Sequence, residues 1–437
     1  MVRRLKASAP EFAEEFAEFL GAKRGSAPDV GKVVADILAD VRDRGDAAVF
    51  DYTRRFDRFA LAADAMRIDE AEIQRAREAC EPSLVAALEV AARRIDAYHR
   101  RQMPEDVSYR DDEGVELGAR WRPLSAVGLY VPGGTAAYPS SVLMNAVPAH
   151  VAGVERIVMV TPTPDGTINS QVLAAASIAG ITDIYRIGGA QAVAALAFGT
   201  ETIAPVDKIV GPGNAYVAEA KRQVFGIVGI DMIAGPSEIL VVADGDNDPR
   251  WIATDLMAQA EHDTAAQSIL ITDDAKFADA VVVAVDDVLR SLPRADIACA
   301  SWQDNGVVIV VDDLLDTPPL IDRVAPEHLE LAVEDPDAIA DRVHHAGALF
   351  LGRHTPEAMG DYVAGPNHVL PTARSARFSS GLSTLDFVKR SSVLRLDKDS
   401  LAALGPAAVT LAEAEGLDAH ALSVSIRIGA VGNTKGG

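Results

Sequence analysis

Cysteine is almost absent from this sequence: its 437 residues include only Cys80 and Cys299. Two cysteines cannot form a disulfide framework or a cysteine-based metal site, so any metal must be held by His, Asp, Glu or amide oxygens. Long apolar runs are missing as well, because Gly, Pro or charges interrupt each stretch before the ~18 residues of a membrane span. Residues 11–16, EFAEEF, are acidic where a signal peptide needs an apolar core. These absences predict a cytoplasmic protein with no membrane partner.

Basic residues are also scarce. The 41 Lys and Arg residues stand against 64 Asp and Glu residues, which gives a formal net charge of -23. This charge has the wrong sign for binding phosphate backbones, so nucleic acid is excluded as the expected partner. A GxGxxG dinucleotide fingerprint is absent too. With 49% apolar residues, however, the chain is long enough to bury two or more packed cores.

The apolar pattern predicts an α/β fold. The first hundred or so residues repeat apolar side chains at helical spacing, and the polar break 21–28 sets residues 1–24 apart as a helical arm. From Ala126 onward, short β-branched runs alternate with Ala-rich stretches of helical length. Such runs are typical of parallel sheets that are covered on both faces. The predicted strands are 126–131, 156–161, 184–187, 208–210, 239–243, 267–272, 307–311, 329–333 and 348–351.

The pattern therefore predicts two α/β units in tandem, followed by a tail. After about residue 380 no further strand is expected, and TLDFVKR, DSLAALGPAAVTLAEAEG and LDAHALSVSIRI are predicted as short helices. A tail of this size cannot bury a core of its own. We expect it to pack on another part of the assembly.

Three glycine-rich turns follow predicted strands: YVPGGTAAYPSS, GGAQA at 188–192 and VGPGNAYV at 210–217. Ligands of open α/β sheets lie at the carboxyl ends of strands, where backbone N–H groups of such turns can face phosphates. The alternative is that Gly and Pro simply close tight turns. The sequence leaves both interpretations open.

Gln259 and His262 are candidate metal ligands, because their spacing of three puts them on one face of a predicted helix. They could equally be polar residues of a solvated face. Asp361 and His420 could complete a site of nitrogen and oxygen ligands, which zinc tolerates. Linear spacing alone does not place them near the pair.

Glu327 and His328 are candidate catalytic residues in a turn between a helical stretch and a strand. An imidazole with a pKa of ~6.5 can shuttle protons at neutral pH, and a carboxylate beside it can activate water. An ordinary surface turn with two solvated side chains is the alternative.

Five motifs, in this order along the chain, resemble histidinol dehydrogenases. They are GPSEILVVAD (235–244), DLMAQAEHD (255–263), APEHLEL (325–331), ARFSSGLS (376–383) and AEAEGLDAHALSVSIR (412–427). The likeness also includes DVRDRGDAAVFDYTRRFD (40–57) and the three glycine turns. One departure is Pro366, where many family members carry a small polar residue.

The resemblance implies specific roles. Glu327 and His328 match the catalytic pair, and Tyr130, Gln191 and Asn214 match contacts to NAD. The matches to the zinc ligands are Gln259, His262, Asp361 and His420, the last of which comes from the partner subunit in this family. The matches to histidinol contacts are Ser237, Gln259, His262, His328, Asp361, Glu415 and His420.

The family's fold implies two incomplete Rossmann-like domains and an intertwined homodimer with shared active sites. The expected division is a helical arm (1–24), a first α/β domain with the metal and catalytic residues (25–125 and 238–381), a second on the NAD side (126–237), and a helical tail on the partner (382–437).

The implied reaction takes L-histidinol to L-histidine through the bound aldehyde, with one zinc per site and two NAD reduced in sequence. Three alternatives stay open: a related zinc and NAD dehydrogenase acting on another polar alcohol such as a sulfonated diol, a zinc hydrolase with the same metal site, and a non-catalytic interaction protein.

Overall fold

The computed structural model describes residues 2–22, 30–133, 138–233 and 235–429. Its strands are β1 (Arg3–Lys6), β2 (Val107–Arg110), β3 (Glu116–Pro123), β4 (Ala126–Tyr130), β5 (Arg156–Val160), β6 (Asp183–Tyr185), β7 (Lys208–Val210), β8 (Gly229–Ile230), β9 (Glu238–Ala243), β10 (Gln267–Thr272), β11 (Val307–Val310), β12 (His328–Ala332), β13 (Ala348–Leu351) and β14 (Val388–Arg395).

Helices connect most of these strands. They are α1 (Phe12–Gly21), α2 (Gly31–Arg44), α3 (Asp46–Phe56), α4 (Ala63–Met66), α5 (Glu70–Glu78), α6 (Pro82–Arg100), α7 (Pro139–Ala152), α8 (Ser170–Ile178), α9 (Gly189–Phe198), α10 (Ala215–Val224), α11 (Pro249–Ala260), α12 (Ala275–Leu289), α13 (Ala295–Asn305), α14 (Pro318–Val324), α15 (Asp337–Ala340), α16 (Glu357–Tyr362), α17 (Lys398–Ala414) and α18 (Asp418–Ser425). None of these described helices combines the length and apolar character that a membrane crossing requires.

The chain divides into two compact units. The first contains residues 1–102 and 124–387, and the second contains residues 103–123 and the chain from 388 onward. Two parallel sheets lie in the first unit, which confirms the α/β prediction. The predicted domain boundaries at 125–126 and 237–238 stay a prediction, because both parallel sheets fall within this one unit.

The larger sheet has six parallel strands in the order β1-β11-β10-β9-β12-β13. Alternate residues of β9 enter two different cores: Leu240 and Val242 pack with Phe16 of α1, whereas Ile239 and Val241 pack with Leu256 of α11. Successive side chains of a strand point to opposite faces, so a strand buried on both sides must be apolar throughout. This explains the continuous run EILVVA.

The smaller sheet also consists of parallel strands, in the order β6-β5-β4-β7-β8. One of its faces packs with α2 and α9 in a core that includes Val34, Val158, Val193 and Ile209. Val127 and Leu129 of β4 are fully buried. The second and third predicted glycine turns follow the carboxyl ends of β6 and β7.

The beginning of the chain differs from the predicted helical arm. β1 pairs in register with β11, from Arg3 opposite Val307 to Lys6 opposite Val310, and the apolar face of α1 is buried in the core of the larger sheet. The short run RRLK carries a single buried apolar residue, Leu5. Periodicity therefore gave no signal for this strand. The predicted boundary at Arg24 lies outside the described residues.

The second unit corrects the prediction of a strandless tail. TLDFVKR forms a short 3₁₀ turn (Thr384–Phe387) that leads into β14, which pairs antiparallel with β3, and β2 pairs with the other side of β3. Most residues of β14 are exposed, so the strand lacks an apolar alternation that the sequence could reveal. The two remaining tail segments are helices as predicted, α17 and α18.

Candidate functional site

Glu327 and His328 lie at the amino end of β12, beside the start of β9. The turn before them leaves α14 through Ala325, which has a left-handed backbone with φ of 49°. Both side chains are buried, with 6% and 4% exposure respectively. This burial argues against the alternative of a solvated surface turn, because an ionisable side chain is buried only where other polar groups surround it.

The backbone of Glu238, the first residue of β9, holds both side chains. Its N–H donates to Glu327 Oε2 at 2.9 Å, and its carbonyl oxygen lies 2.9 Å from His328 Nδ1. A protonated Nδ1 donates this second bond, and Nε2 of the ring is then the atom free to exchange a proton. The opposite side of the imidazole is thus directed away from the sheet.

Two carboxylates face that second ring nitrogen. His328 Nε2 lies 3.6 Å from Glu357 Oε1 and 3.8 Å from Asp361 Oδ1, both on α16. Glu357 and Asp361 are four residues apart, so the helix presents them on one side. One donor atom from each of the three residues lies within 4.8 Å of the others, a spacing that could hold a metal ion.

Gln259 joins the same cluster from α11. It is fully buried, and its amide nitrogen donates to Glu357 Oε2 at 3.0 Å while its oxygen accepts from Glu238 N–H at 3.3 Å. His262 lies just after the end of α11 and is exposed. Partial desolvation lowers the pKa of His262, and the nearby charge of Asp361 opposes this shift. The two residues from DLMAQAEHD therefore approach the catalytic pair from one side.

Burial and charge shift the pKa values of this cluster in opposite directions. Burial raises the pKa of Glu327 to about 7 and that of Glu357 to about 8, although His328 opposes both shifts. Burial lowers the pKa of His328, but Glu357 and the surrounding carboxylates raise it by more, so it lies well above its usual value. The site thus places several buried carboxyl groups around one imidazole, and a bound cation would favour the charged form of these groups.

The residues predicted to contact NAD lie on the smaller sheet. Tyr130 ends β4 and is buried, and its hydroxyl oxygen accepts from the N–H of Gly189 at 3.0 Å. Gln191 lies on α9, two residues after Gly189, and is buried; among the described residues its Oε1 has no hydrogen-bond partner. Asn214 caps α10 by accepting from the N–H of Tyr216. Part of the first glycine turn, residues 134–137, lies outside the described residues.

The remaining predicted residues lie on other elements. Ser237 immediately precedes β9 and is half-buried. Glu415 follows α17 and His420 lies within α18, so both belong to the second unit, where both are exposed.

Sequence reasoning missed three buried or half-buried residues near the catalytic pair. Glu357 could have been found from its i, i+4 spacing to Asp361. His368 lies 3.0 Å from the carbonyl oxygen of Asp361 through Nδ1 and 3.3 Å from Ser141 Oγ through Nε2, contacts that no sequence spacing indicates. Glu330, two residues after His328 on β12, is also buried; burial, reinforced by Asp255, raises the pKa of Glu330 to about 9.

Comparison with known proteins decides the family. A model of the histidinol dehydrogenase family matches residues 22–428. The chain belongs to the histidinol dehydrogenase family. It is 66% identical to a histidinol dehydrogenase of Rhodospirillum rubrum, over 98% of this chain and 99% of that protein, and 64% identical to one of Rhizobium meliloti, over 98% and 99%.

A solved structure agrees with this assignment. The crystal structure of histidinol dehydrogenase from Elizabethkingia anophelis matches with a TM-score of 0.94 and 36% identity, covering 98% of each chain. As a member of the histidinol dehydrogenase family, the chain is an oxidoreductase of histidine biosynthesis.

The electrostatics of the cluster make a prediction for Glu357→Gln. Removing this carboxylate removes a neighbouring negative charge that favours the imidazolium, so the pKa of His328 should fall. The measurement is a pH titration of the histidine ring signals by NMR in metal-free protein. Glu334→Gln is the matched control, because Glu334 is exposed and pairs with Arg353 instead. An unchanged His328 titration in Glu357→Gln would contradict the assigned role of this carboxylate.

Proposed function

We propose that the chain oxidises L-histidinol to L-histidine through bound L-histidinal, using two NAD and one water molecule. The alcohol loses two hydrides in succession, the water oxygen enters the product carboxylate, and three protons are released with two NADH. Membership of the histidinol dehydrogenase family supports the substrate, and the geometry of the site supports the division of roles.

The observation that carries this proposal is the buried Glu327–His328 pair on the backbone of Glu238. A bound cation would offset the carboxylates that raise the pKa of His328, and His328 in its neutral form then accepts the hydroxyl proton as the first hydride leaves the substrate carbon. Glu327, whose pKa burial raises to about 7, then removes a proton from the water that attacks the aldehyde. A base is most effective when its pKa lies near the working pH. The resulting hydrate releases the second hydride.

The predicted ligands offer the nitrogen and oxygen donors that zinc accepts, and one of them, Asp361, belongs to the cluster whose spacing could hold a metal ion. Gln259 on α11, His262 just after α11 and Asp361 on α16 would bind the ion. His420 of the partner subunit would be the fourth ligand. The surrounding buried carboxylates favour a cation. Zinc, when bound, would orient the substrate through its imidazole and amino nitrogens and offset the charge of these carboxylates.

The same charge supports a cationic substrate over a sulfonated one. Glu327, Glu357 and Asp361 converge on the space around His328. A substrate ammonium or imidazolium is attracted to such a cluster, whereas a sulfonate is repelled. Glu415 of the partner subunit would add a further carboxylate. A sulfonated diol is therefore the weaker candidate.

The two cysteines support a route through water rather than a covalent thiohemiacetal. Cys80 contacts the carbonyl oxygen of Ala76, and the sulfur of Cys299 on α13 accepts from Gln303. Both thiols are free, which also suits a reducing, cytoplasmic location. Neither belongs to the cluster around His328.

A homodimer with shared active sites completes the proposal. Leu411 of α17, Leu422 of α18 and Ile426, which directly follows α18, are each more than half exposed. Exposed apolar side chains grouped on neighbouring helices are typical of an interaction surface. Glu415 and His420 lie on the same exposed helical segment, which supports their delivery to a neighbouring subunit.

The four-electron reaction predicts about two NADH per histidinol consumed, with little free histidinal. Purified protein with zinc, NAD and L-histidinol is assayed for NADH by absorbance and for histidine by chromatography. A ratio of one, with aldehyde accumulating in solution, would contradict the proposal.

The division of roles predicts different effects of two substitutions. Glu327→Gln should slow oxidation of supplied histidinal by ~100-fold to ~10,000-fold and spare the first hydride transfer, because only the aldehyde step needs activated water. His328→Asn should slow both steps. Single-turnover kinetics measure each half-reaction, and equal effects of Glu327→Gln on both would refute the assignment.

Shared sites predict complementation between two damaged subunits. His420→Ala and His262→Ala should each be nearly inactive as homodimers. In their heterodimer one site carries both lesions and the other carries neither, so activity should return toward one half of wild type. Native mass spectrometry confirms that heterodimers form; no recovery in such a preparation would assign His420 to its own chain's site or to a structural role.

A further inference from the structure

A buried ion pair lies beneath the third glycine turn. Lys221 projects from α10 and Asp231 follows β8, and their side chains are 4% and 1% exposed while Nζ contacts Oδ1 directly. In many proteins the free energy lost by removing two charges from water exceeds the free energy gained from their attraction. A buried ion pair is therefore weak evidence for a stabilising role. The other contacts of this pair indicate what it does.

Both charges bind the backbone of one residue, Gly211. Lys221 Nζ donates to the carbonyl oxygen of Gly211 at 2.9 Å, and the N–H of Gly211 donates to Asp231 Oδ2 at 2.7 Å. Asp231 is itself fixed, because its N–H donates to the carbonyl oxygen of Ile209 at 3.2 Å. These charge-assisted bonds hold the two peptide units that flank the Cα of Gly211, so they restrict both backbone dihedral angles of this residue.

Gly211 lies next to two residues that are predicted to contact NAD, Tyr130 and Asn214. Its φ of 110° is in the region that favours glycine, and a Cβ there would lie 2.1 Å from the carbonyl oxygen of Tyr130. Three residues later Asn214 caps α10. The conformation at Gly211 thus sets the separation and direction of Asn214 relative to Tyr130.

We propose that Lys221 and Asp231 are positioning residues that hold the 211–214 turn in the shape that receives NAD. This inference rests on the proposed function, because it takes NAD as the ligand of that turn. The pair is buried and acts through Gly211 rather than by touching the dinucleotide. A site that lacks the GxGxxG fingerprint depends on a turn already fixed before binding, since ordering it afterwards would reduce affinity.

The test compares Lys221→Met with the double variant Lys221→Met/Asp231→Leu. The single change leaves Asp231 buried and uncompensated and can unfold the protein, whereas replacing both charges by apolar groups is often neutral for stability. The folded double variant should bind NAD about 10-fold to 100-fold more weakly, the effect of losing hydrogen bonds to charged groups. KM for NAD should rise, while kcat at saturating NAD, KM for histidinol and zinc content stay near wild type.

Lys208→Met is the matched control. Lys208 begins β7, the strand that ends at this turn, and its Nζ pairs with Asp386 Oδ1 at 2.8 Å. This variant also loses a lysine–aspartate pair, but at the start of β7 and not at the end that leads into the turn. NAD affinity should therefore be unchanged.

The outcomes separate the inference from the function on which it rests. Wild-type protein is first titrated with NAD, and absence of binding there would overturn the proposed function and this inference with it. Given wild-type binding, an unchanged NAD affinity in the folded double variant overturns the positioning role alone. An equal loss of NAD affinity in Lys208→Met, or an equal rise in KM for histidinol, also overturns it, because either result indicates a general structural defect.

Discussion

The main chain of Glu238 is the fixed point on which the candidate catalytic site depends. Its N–H binds Glu327 and also faces the amide of Gln259, and its carbonyl oxygen orients His328. Glu238 begins β9, which lies inside the six-stranded sheet between β10 and β12. Backbone groups of a central strand cannot shift without disturbing both neighbouring ladders, so three side chains from two separate segments share one rigid reference.

Around this fixed point the site places several ionisable side chains close together in a buried space. Carboxylates from β12's preceding turn and from α16 surround a single imidazole, and burial raises the pKa values of Glu327 and Glu357. Such an arrangement is costly for the isolated chain and becomes favourable when a cation enters. The stability of this region is therefore linked to what it binds, by the mass-action relation that couples ligand binding to folding.

Whether a helix or strand can be predicted from the sequence depends on whether its burial produces a recognisable pattern of apolar residues. Strands buried on both faces, such as EILVVA, are continuous apolar runs and were predicted within one or two residues. β14 leaves no such signal because most of its residues are exposed, and β1 offers only Leu5. For the site, the spacing of Gln259 and His262 was informative because one helix end carries both. The spacing of Glu357 to Asp361 puts both on one side of a helix, but the approach of that helix to His328 is a tertiary contact between segments distant in sequence, which no spacing reveals. The same holds for the contacts of His368.

The pairing of β1 with β11 has a consequence for synthesis of the chain. Arg3 and its neighbours find their partner strand about 300 residues later, and such distant pairings slow folding because a long loop must close first. On the ribosome, β1 emerges long before β11 and stays unpaired until that partner strand has been made. Three of the four residues in its sequence RRLK are basic. Charged side chains disfavour pairing of an exposed strand edge with other chains, so they protect β1 against aggregation before β11 is made. β1 is thus made long before β11, yet it reaches its place in the sheet only after β11 has been made.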